Sequence, residues 1–167
     1  MVTIKDLEIE GLKFRIGIRE GEIVFIGFPA YGANDKGSVE WLENKMNDSV
    51  KRGEDPLFSI VEKEIEEYIK GERKVFDLPA HHYGTPFQKC VWKEIDRIPY
   101  GCTATYSDIA RAIGCEGGYQ AVGNAVGANM ISILTPCHRV VAKSGAGGYA
   151  WGMNIKRRLN LIEQSPL

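Results

Sequence analysis

The hydrophobic period of this chain changes partway along, and that change limits the folds open to it. VTIKDLEIEG, LKFRIGIREG and EIVFIGFPA set apolar residues at alternate positions, the period of a strand. REGE, with Gly21, reads as the hairpin turn between the second and third. Beyond them the spacing becomes helical. SVEWLENKMNDSV predicts a helix capped by Ser38. DPLFSIVEKEIEEYIKGE predicts a longer one, with Asp55 as cap, Pro56 at the first helical position and Gly71 as the stop. Leu57, Ile60, Val61, Glu64, Ile65 and Tyr68 lie near one face of it. The first part is therefore a small α/β layer. It holds no phosphate loop and no carboxylate pair with metal-ligand spacing.

Residues 74–86, KVFDLPAHHYGTP, read as a connector, with Pro79, Gly84 and Pro86 as breakers. The expected division is an α/β domain over 1–80 and a mostly helical domain over 81–167. His81 and His82 raise a metal question, but no cysteine precedes them and a structural zinc site wants four ligands. They read as solvated linker histidines, and no metal is expected.

The second part is a series of short helices. TPFQKCVWKEIDRI opens at Thr85-Pro86 and puts Phe87, Val91, Glu94, Ile95 and Ile98 on one face. PYGCTATY breaks it. SDIARAIG follows, with Ser107 as its expected cap and Gly114 as its stop, and YQAVGNAVGAN comes after CEGG. Two short helices joined by a Gly-containing turn form the helix-turn-helix pattern. The last of these carries Gly123 and Gly127 among alanines, although glycine inside a helix costs about 1 kcal/mol against alanine. Close packing on another helix and close approach to a nucleic-acid backbone both account for that.

Charge separates the two parts. Residues 1–85 hold 12 Lys/Arg and 17 Asp/Glu, a net of −5; residues 86–167 hold 9 and 5, a net of +4. The second part is the one suited to a polyanion. No apolar run nears the ~20 residues that span a bilayer. The N-terminus lacks the apolar core of a signal peptide, so the expected location is the cytoplasm, or the nucleus in a eukaryote. Cys90, Cys102, Cys115 and Cys137 form no C-x-x-C pair. The first three read as packing residues.

Cys137 differs because it sits in TPCHRVV, beside His138. A thiol becomes a nucleophile where its thiolate is favoured, at a helix N-terminus or near a base. Pro136 suits a first helical position, which would put Cys137 among free N–H groups. Adjacent residues do not face each other on a helix, so His138 would reach the thiol through a water. Glu163, in NIKRRLNLIEQ, is a candidate to orient the ring, and Arg139 is expected in a structural ion pair. A cysteine hydrolase is the rival chemistry, but its histidine usually lies far off in sequence. A non-catalytic DNA binder is the other rival.

TPCHRVVAKSGAGGYAWG resembles the active-site segment of the O6-alkylguanine-DNA alkyltransferases, with Pro136 to Val140 matching the hallmark Pro-Cys-His-Arg-Val. GTPFQKCVWKEIDRIPYGCTATYSDIA is similar to the approach to that family's helix-turn-helix, and AVGNAVGANMISILTPCHRVV to its second helix and hinge. The likeness spans about residues 81–167. It implies a winged-helix-like domain behind the α/β one, acting as a monomer on double-stranded DNA that contains alkylated guanine, with no cofactor and no membrane. It also implies the roles. Cys137 takes the alkyl group from O6 of guanine, with O4-alkylthymine as a further substrate. His138 withdraws the thiol proton through a water, Glu163 orients His138, and Tyr106 donates to the purine. Asn129 links the recognition helix to the active-site loop. The backbone of Val140 and Ala150, with the ring of Tyr149, lines the guanine pocket. Thr103, Ser107, Tyr119, Gln120, Ala121 and Gly123 meet DNA through the minor groove, from which the base is flipped. Two departures stand out: Gln120 occupies the position where the family usually has a wedge arginine, and no N-terminal cysteine accompanies His81-His82, so the zinc of some members is not carried over.

Overall fold

Two Glu-Gly dipeptides fold the first three strands into a meander. β1 (Val2–Ile9), β2 (Leu12–Arg19) and β3 (Glu22–Gly27) pair antiparallel, with Ile9 opposite Leu12 and Arg19 opposite Glu22, so each turn has two residues. Glu10 and Gly11 have φ of 49° and 75°, Glu20 and Gly21 53° and 78°. Two left-handed residues in succession match the right-handed twist of the flanking strands. The structure, a computed structural model, describes residues 1–31 and 36–164.

Helix α1 (Val39–Met46) starts where Ser38 Oγ accepts from the Trp41 amide at 3.1 Å. It ends earlier than the sequence predicts. Asn47 turns left-handed at φ 49°, and Val50 leaves the helix for β4 (Val50–Arg52), which pairs parallel to β1. The sheet order is β3-β2-β1-β4. In α2 (Pro56–Ile69), Asp55 accepts from the Leu57 amide at 2.9 Å, and Gly71 turns left-handed at φ 77° to end it. The buried face holds Phe58, Val61, Glu64, Ile65 and Tyr68. Ile60 is 51% exposed, so the stripe is rotated from the expected Leu57/Ile60 side to Phe58, whose larger ring claims the interior.

The chain divides into Met1–Tyr83 and Gly84–Leu167, a boundary three residues beyond the one expected. Backbone pairing explains the shift: the Ile23 amide donates to Pro79 O and the His81 amide to Ile23 O, both at 2.9 Å. His81 Nδ1 lies 3.8 Å from Glu22.

The second unit is mostly helical. α3 (Pro86–Ile95) begins with a capping box between Thr85 and Gln88. Trp92, missed in the sequence pattern, is buried in place of the exposed Phe87, and it lies so close to Gly84 that a Cβ there would collide with its ring. After β5 (Ala104–Thr105) comes α4 (Tyr106–Ala112). Its cap is Thr105, not Ser107. Thr105 Oγ1 accepts from the Asp108 amide at 3.0 Å and Asp108 returns the bond at 2.9 Å, whereas Ser107 has Ala110 three residues on and no acid to complete a box. α5 (Tyr119–Gly127), a 3₁₀ turn at Cys137–Arg139, β6 (Val140–Val141, parallel to β5) and α6 (Met153–Ile162) complete the order. Val91, Trp92 and Ile95 of α3 pack with Ile109 of α4 and with Val122 and Ala125 of α5. Trp92 Nε1 donates to Ala125 O at 2.8 Å, an approach that the small side chain permits. Cys90 and Cys102 are exposed and Cys115 half-buried, contrary to the packing role expected of them. Cys137 alone of the four is buried.

Candidate active site

Asn129 organises the loop that carries the cysteine. Its Nδ2 donates to Thr135 O at 2.9 Å and to Cys137 Sγ at 3.2 Å, while its Oδ1 accepts from the Ile131 amide at 3.0 Å. One side chain thus staples residues 129–137 into a closed loop and puts a donor on sulfur. Within the loop Ile133, a buried β-branched residue, has φ 72°. That conformation is strained for such a residue and persists only where its surroundings dictate it.

Cys137 does not sit where the proline suggested. Pro136 caps a three-residue 3₁₀ turn rather than opening an α-helix, and the Cys137 amide is spent on Thr135 O at 2.8 Å. The donor placed on the sulfur is therefore a side-chain amide instead of a helix N-terminus.

Behind the thiol, His138 Nε2 lies 2.8 Å from Glu163 Oε1, both side chains fully buried. Arg139 grips the same carboxylate with two bonds, Nε to Oε2 and Nη2 to Oε1, each 2.9 Å, and donates to Ile98 O at 2.6 Å. Glu163 is thus no solvated helix-end charge. Burial holds the His138 imidazole below its ordinary value of 6.5, against the pull of Glu163, with Arg139 and Lys156 adding to the lowering. A neutral ring with its Nε2 proton on Glu163 leaves Nδ1 as the basic nitrogen.

Cys137 opens onto a cavity of about 160 Å³. α4 contributes Tyr106, α5 contributes Gly123, Val126 and Gly127, and the stretch before α6 contributes Gly148, Tyr149, Ala150 and Trp151. The small residues of α5 now have a reason. A Cβ on Gly123 would stand 3.9 Å from the Tyr106 ring and one on Gly127 would meet nothing within 4 Å, so both keep the cavity open, while Ala125 makes the close helix contact. Trp151 Nε1 donates to Ser132 Oγ at 2.9 Å. Burial, then the Cys137 charge, keep the Tyr149 hydroxyl protonated, well above its ordinary value of 10.

The fold brings together most of the residues singled out in the sequence. Cys137, Asn129, Tyr106, Tyr149, Ala150 and Gly123 meet at the cavity, with His138 and Glu163 behind. Val140 does not line it: Val140 is core, and its carbonyl accepts from Lys156. Ser107 and Tyr119 border a separate groove of about 270 Å³ with Thr105, Tyr106, Ala142 and Lys143. Gln120 and Ala121 are exposed, and Thr103 lines neither opening. Lys156 and Asn160 were missed. Both are buried polar residues of α6, and their only sequence signal is a stripe with Glu163 at i, i+4 and i+7. Ile155, Leu159 and Ile162 form an equal stripe beside it, so periodicity alone assigns the polar one to solvent.

A buried thiol on an open cavity, with a neutral imidazole bonded to a buried carboxylate in the same turn region, brings together the groups that a cysteine nucleophile uses. Comparison with known proteins narrows the class. Residues 86–165 match the family described as 6-O-methylguanine DNA methyltransferase, DNA binding domain. The constitutive methylated-DNA–protein-cysteine methyltransferase of Bacillus subtilis (strain 168) is 44% identical over 113 residues, 67% of each chain. The corresponding protein of Methanosarcina barkeri is 41% identical over 130 residues, 77% of this chain and 76% of that one. A crystal structure of Mycobacterium tuberculosis OGT in complex with DNA superposes with a TM-score of 0.81 at 30% identity, covering 98% of this chain and 95% of that one. The chain belongs to the methylated-DNA–protein-cysteine methyltransferase family.

Proposed function

We infer that this protein repairs DNA by direct reversal, moving the alkyl group of O6-alkylguanine onto Cys137 Sγ in a single, irreversible turnover. The observation that carries the reading is the thiol itself, held by Asn129 Nδ2 at 3.2 Å in a cavity bordered by Tyr106. Sulfur is a soft nucleophile suited to displacement at carbon. The S–C bond forms as the C–O6 bond breaks, and its electron pair goes to the purine. Tyr106 OH gives its proton to the purine, so that guanine leaves neutral, and the tyrosine is reprotonated through solvent by the proton that the thiol gave up. The thiol proton passes through a water to His138 Nδ1, with Glu163 holding the opposite nitrogen. The thioether left behind has no proton to lose and is a poor leaving group, so the protein is consumed.

The cavity is below the ~300 Å³ at which ligand pockets usually begin, which suits one base rather than a nucleotide. The base must then leave the duplex, at a cost of a few kcal/mol. α4 and α5 act as the helix-turn-helix of a winged-helix-like domain, with α5 against the minor groove. There its exposed N-terminal residues, Tyr119, Gln120 and Ala121, meet the strand, while Thr103, Ser107 and Gly123 support the approach. Gln120 is the wedge, weaker than arginine because it lacks charge and a stacking plane. Tyr149 and Ala150 bound the base, and the Val140 backbone supports that wall from the core.

The test is intact mass after mixing with duplex carrying O6-methylguanine. The protein gains one methyl group, mapped to Cys137; Cys137→Ser gains none; Gln120→Arg reacts faster and binds DNA more tightly. Continued repair by Cys137→Ser overturns the reading. An unchanged rate and affinity in Gln120→Arg removes the wedge.

A further inference from the structure

Lys156 and Asn160 are expensive residues in their positions. Lys156 is fully buried, and no carboxylate lies within ion-pair distance of its Nζ among the described residues. Asn160 is 1% exposed, and its Oδ1 is buried without a hydrogen bond. Its amide cannot be reversed, because Nδ2 already donates to two carbonyl oxygens, His138 O at 3.0 Å and Lys156 O at 2.9 Å. A buried acceptor left unsatisfied destabilises the fold, and leucine at that position would avoid it. Residues that break the packing rules in this way usually serve the site they face.

What they face is the reacting turn. Lys156, Asn160 and Glu163 stand at i, i+4 and i+7, one stripe of α6. Each meets the turn at its own level. Lys156 Nζ donates to Val140 O at 2.6 Å, Asn160 to His138 O, and Glu163 takes the His138 ring and Arg139. Lys156 has a second bond, to Gly148 O at 2.9 Å, on the wall of the cavity. One ammonium therefore ties the cavity wall to the segment that carries the nucleophile.

We propose that Lys156 and Asn160 are positioning residues for alkyl transfer, and that Lys156 is also the counter-charge of the Cys137 thiolate. The titratable groups around the lysine leave few other choices. Its bonds to Val140 O and Gly148 O set it behind the turn that holds Cys137, His138 and Arg139 and against the cavity wall that includes Tyr149, and Glu163 ends its own helix. His138 and Tyr149 are neutral, and Glu163 is committed to Arg139 and His138. The thiolate is the anion that remains. In keeping with this, burial lowers Lys156 to about 8, and the Cys137 charge opposes that lowering. Coupling of this kind is reciprocal: the lysine favours the thiolate by as much as the thiolate favours the charged lysine.

The proposal rests on Cys137 as acceptor, but its test does not need DNA. Capture of Cys137 by iodoacetamide, mapped by mass, is followed against pH. Lys156→Met moves the midpoint up by about one unit, a tenfold loss of thiolate below it. Lys156→Arg, which keeps the charge, restores the midpoint to within about a third of a unit of the original. Asn160→Leu leaves the midpoint alone and slows methyl transfer from duplex about tenfold, because the histidine is less well held. A Lys156→Met midpoint coinciding with that of the unaltered protein overturns the counter-charge. An Asn160→Leu transfer rate equal to the original overturns the positioning role. If Lys156→Met does not fold, the unaltered protein decides: its Lys156 Nζ is titrated by NMR before and after carboxamidomethylation of Cys137. The lysine midpoint falls if the two are coupled, and a fixed midpoint sinks the idea. Normal capture with no methyl uptake from DNA refutes the repair reading and leaves this one standing.

Discussion

The two units bury their polar groups differently. In Met1–Tyr83 the buried polar residues among those described are Arg15 and Glu64, each paired with an opposite charge: Arg15 with Asp6 at 2.6 Å and Glu64 with Arg73 at 3.4 Å. In Gly84–Leu167 there are eight, and Asn129, His138, Arg139, Lys156, Asn160 and Glu163 of these converge on one turn. A core built for stability avoids such groups, because each needs a partner or costs free energy. Their concentration around Cys137 marks the second unit as the one whose interior is built for chemistry.

Three experiments probe that contrast. Glu163→Gln should do the most damage, since it strands the buried Arg139; the expected loss is about 3–5 kcal/mol in urea unfolding, with alkyl transfer falling alongside it. Survival of both stability and rate would mean that the network is ornamental. Phe58→Ala, in the apolar core of the first unit, should cost about 3 kcal/mol yet leave the transfer rate of each folded molecule unchanged. A slower folded enzyme would show that the two units divide their labour less cleanly than their interiors suggest. The smallest effect is in acid, and it separates the units by pH. His138 is held neutral, so below its ordinary 6.5 the unfolded chain takes up a proton that the folded one refuses, and stability falls from there downward. Asp6, held below its ordinary 3.8 chiefly by its hydrogen bond to Arg15, keeps its contribution until pH drops beneath that value. Amide exchange, corrected for intrinsic rate, should therefore weaken in the Cys137 turn and α6 before it weakens in β1 and β2. Simultaneous loss would refute the difference.

Local signals in the sequence were reliable where local chemistry decides. The caps at Ser38, Asp55 and Thr85 and the stop at Gly71 formed as their side chains or backbone freedom dictate. The Cys-His pair was legible because its residue types are rare together. Ser107 misled because two hydroxyl residues lie two apart, and only the partner three residues on separates them. Ile60 and Phe87 share the spacing of buried apolar faces and are exposed, since a helix offers overlapping apolar stripes and the larger neighbouring ring takes the interior.

By itself the sequence determined the first three strands, the long helix after Asp55 and the adjacent cysteine and histidine, because those depend on residue type and near-neighbour spacing. Only the tertiary structure decided that Lys156 and Asn160 face inward, that Ile133 is held left-handed and that Asn129 reaches the sulfur. These depend on which helical face meets the turn, a choice made by long-range packing between segments that carry no mark of each other.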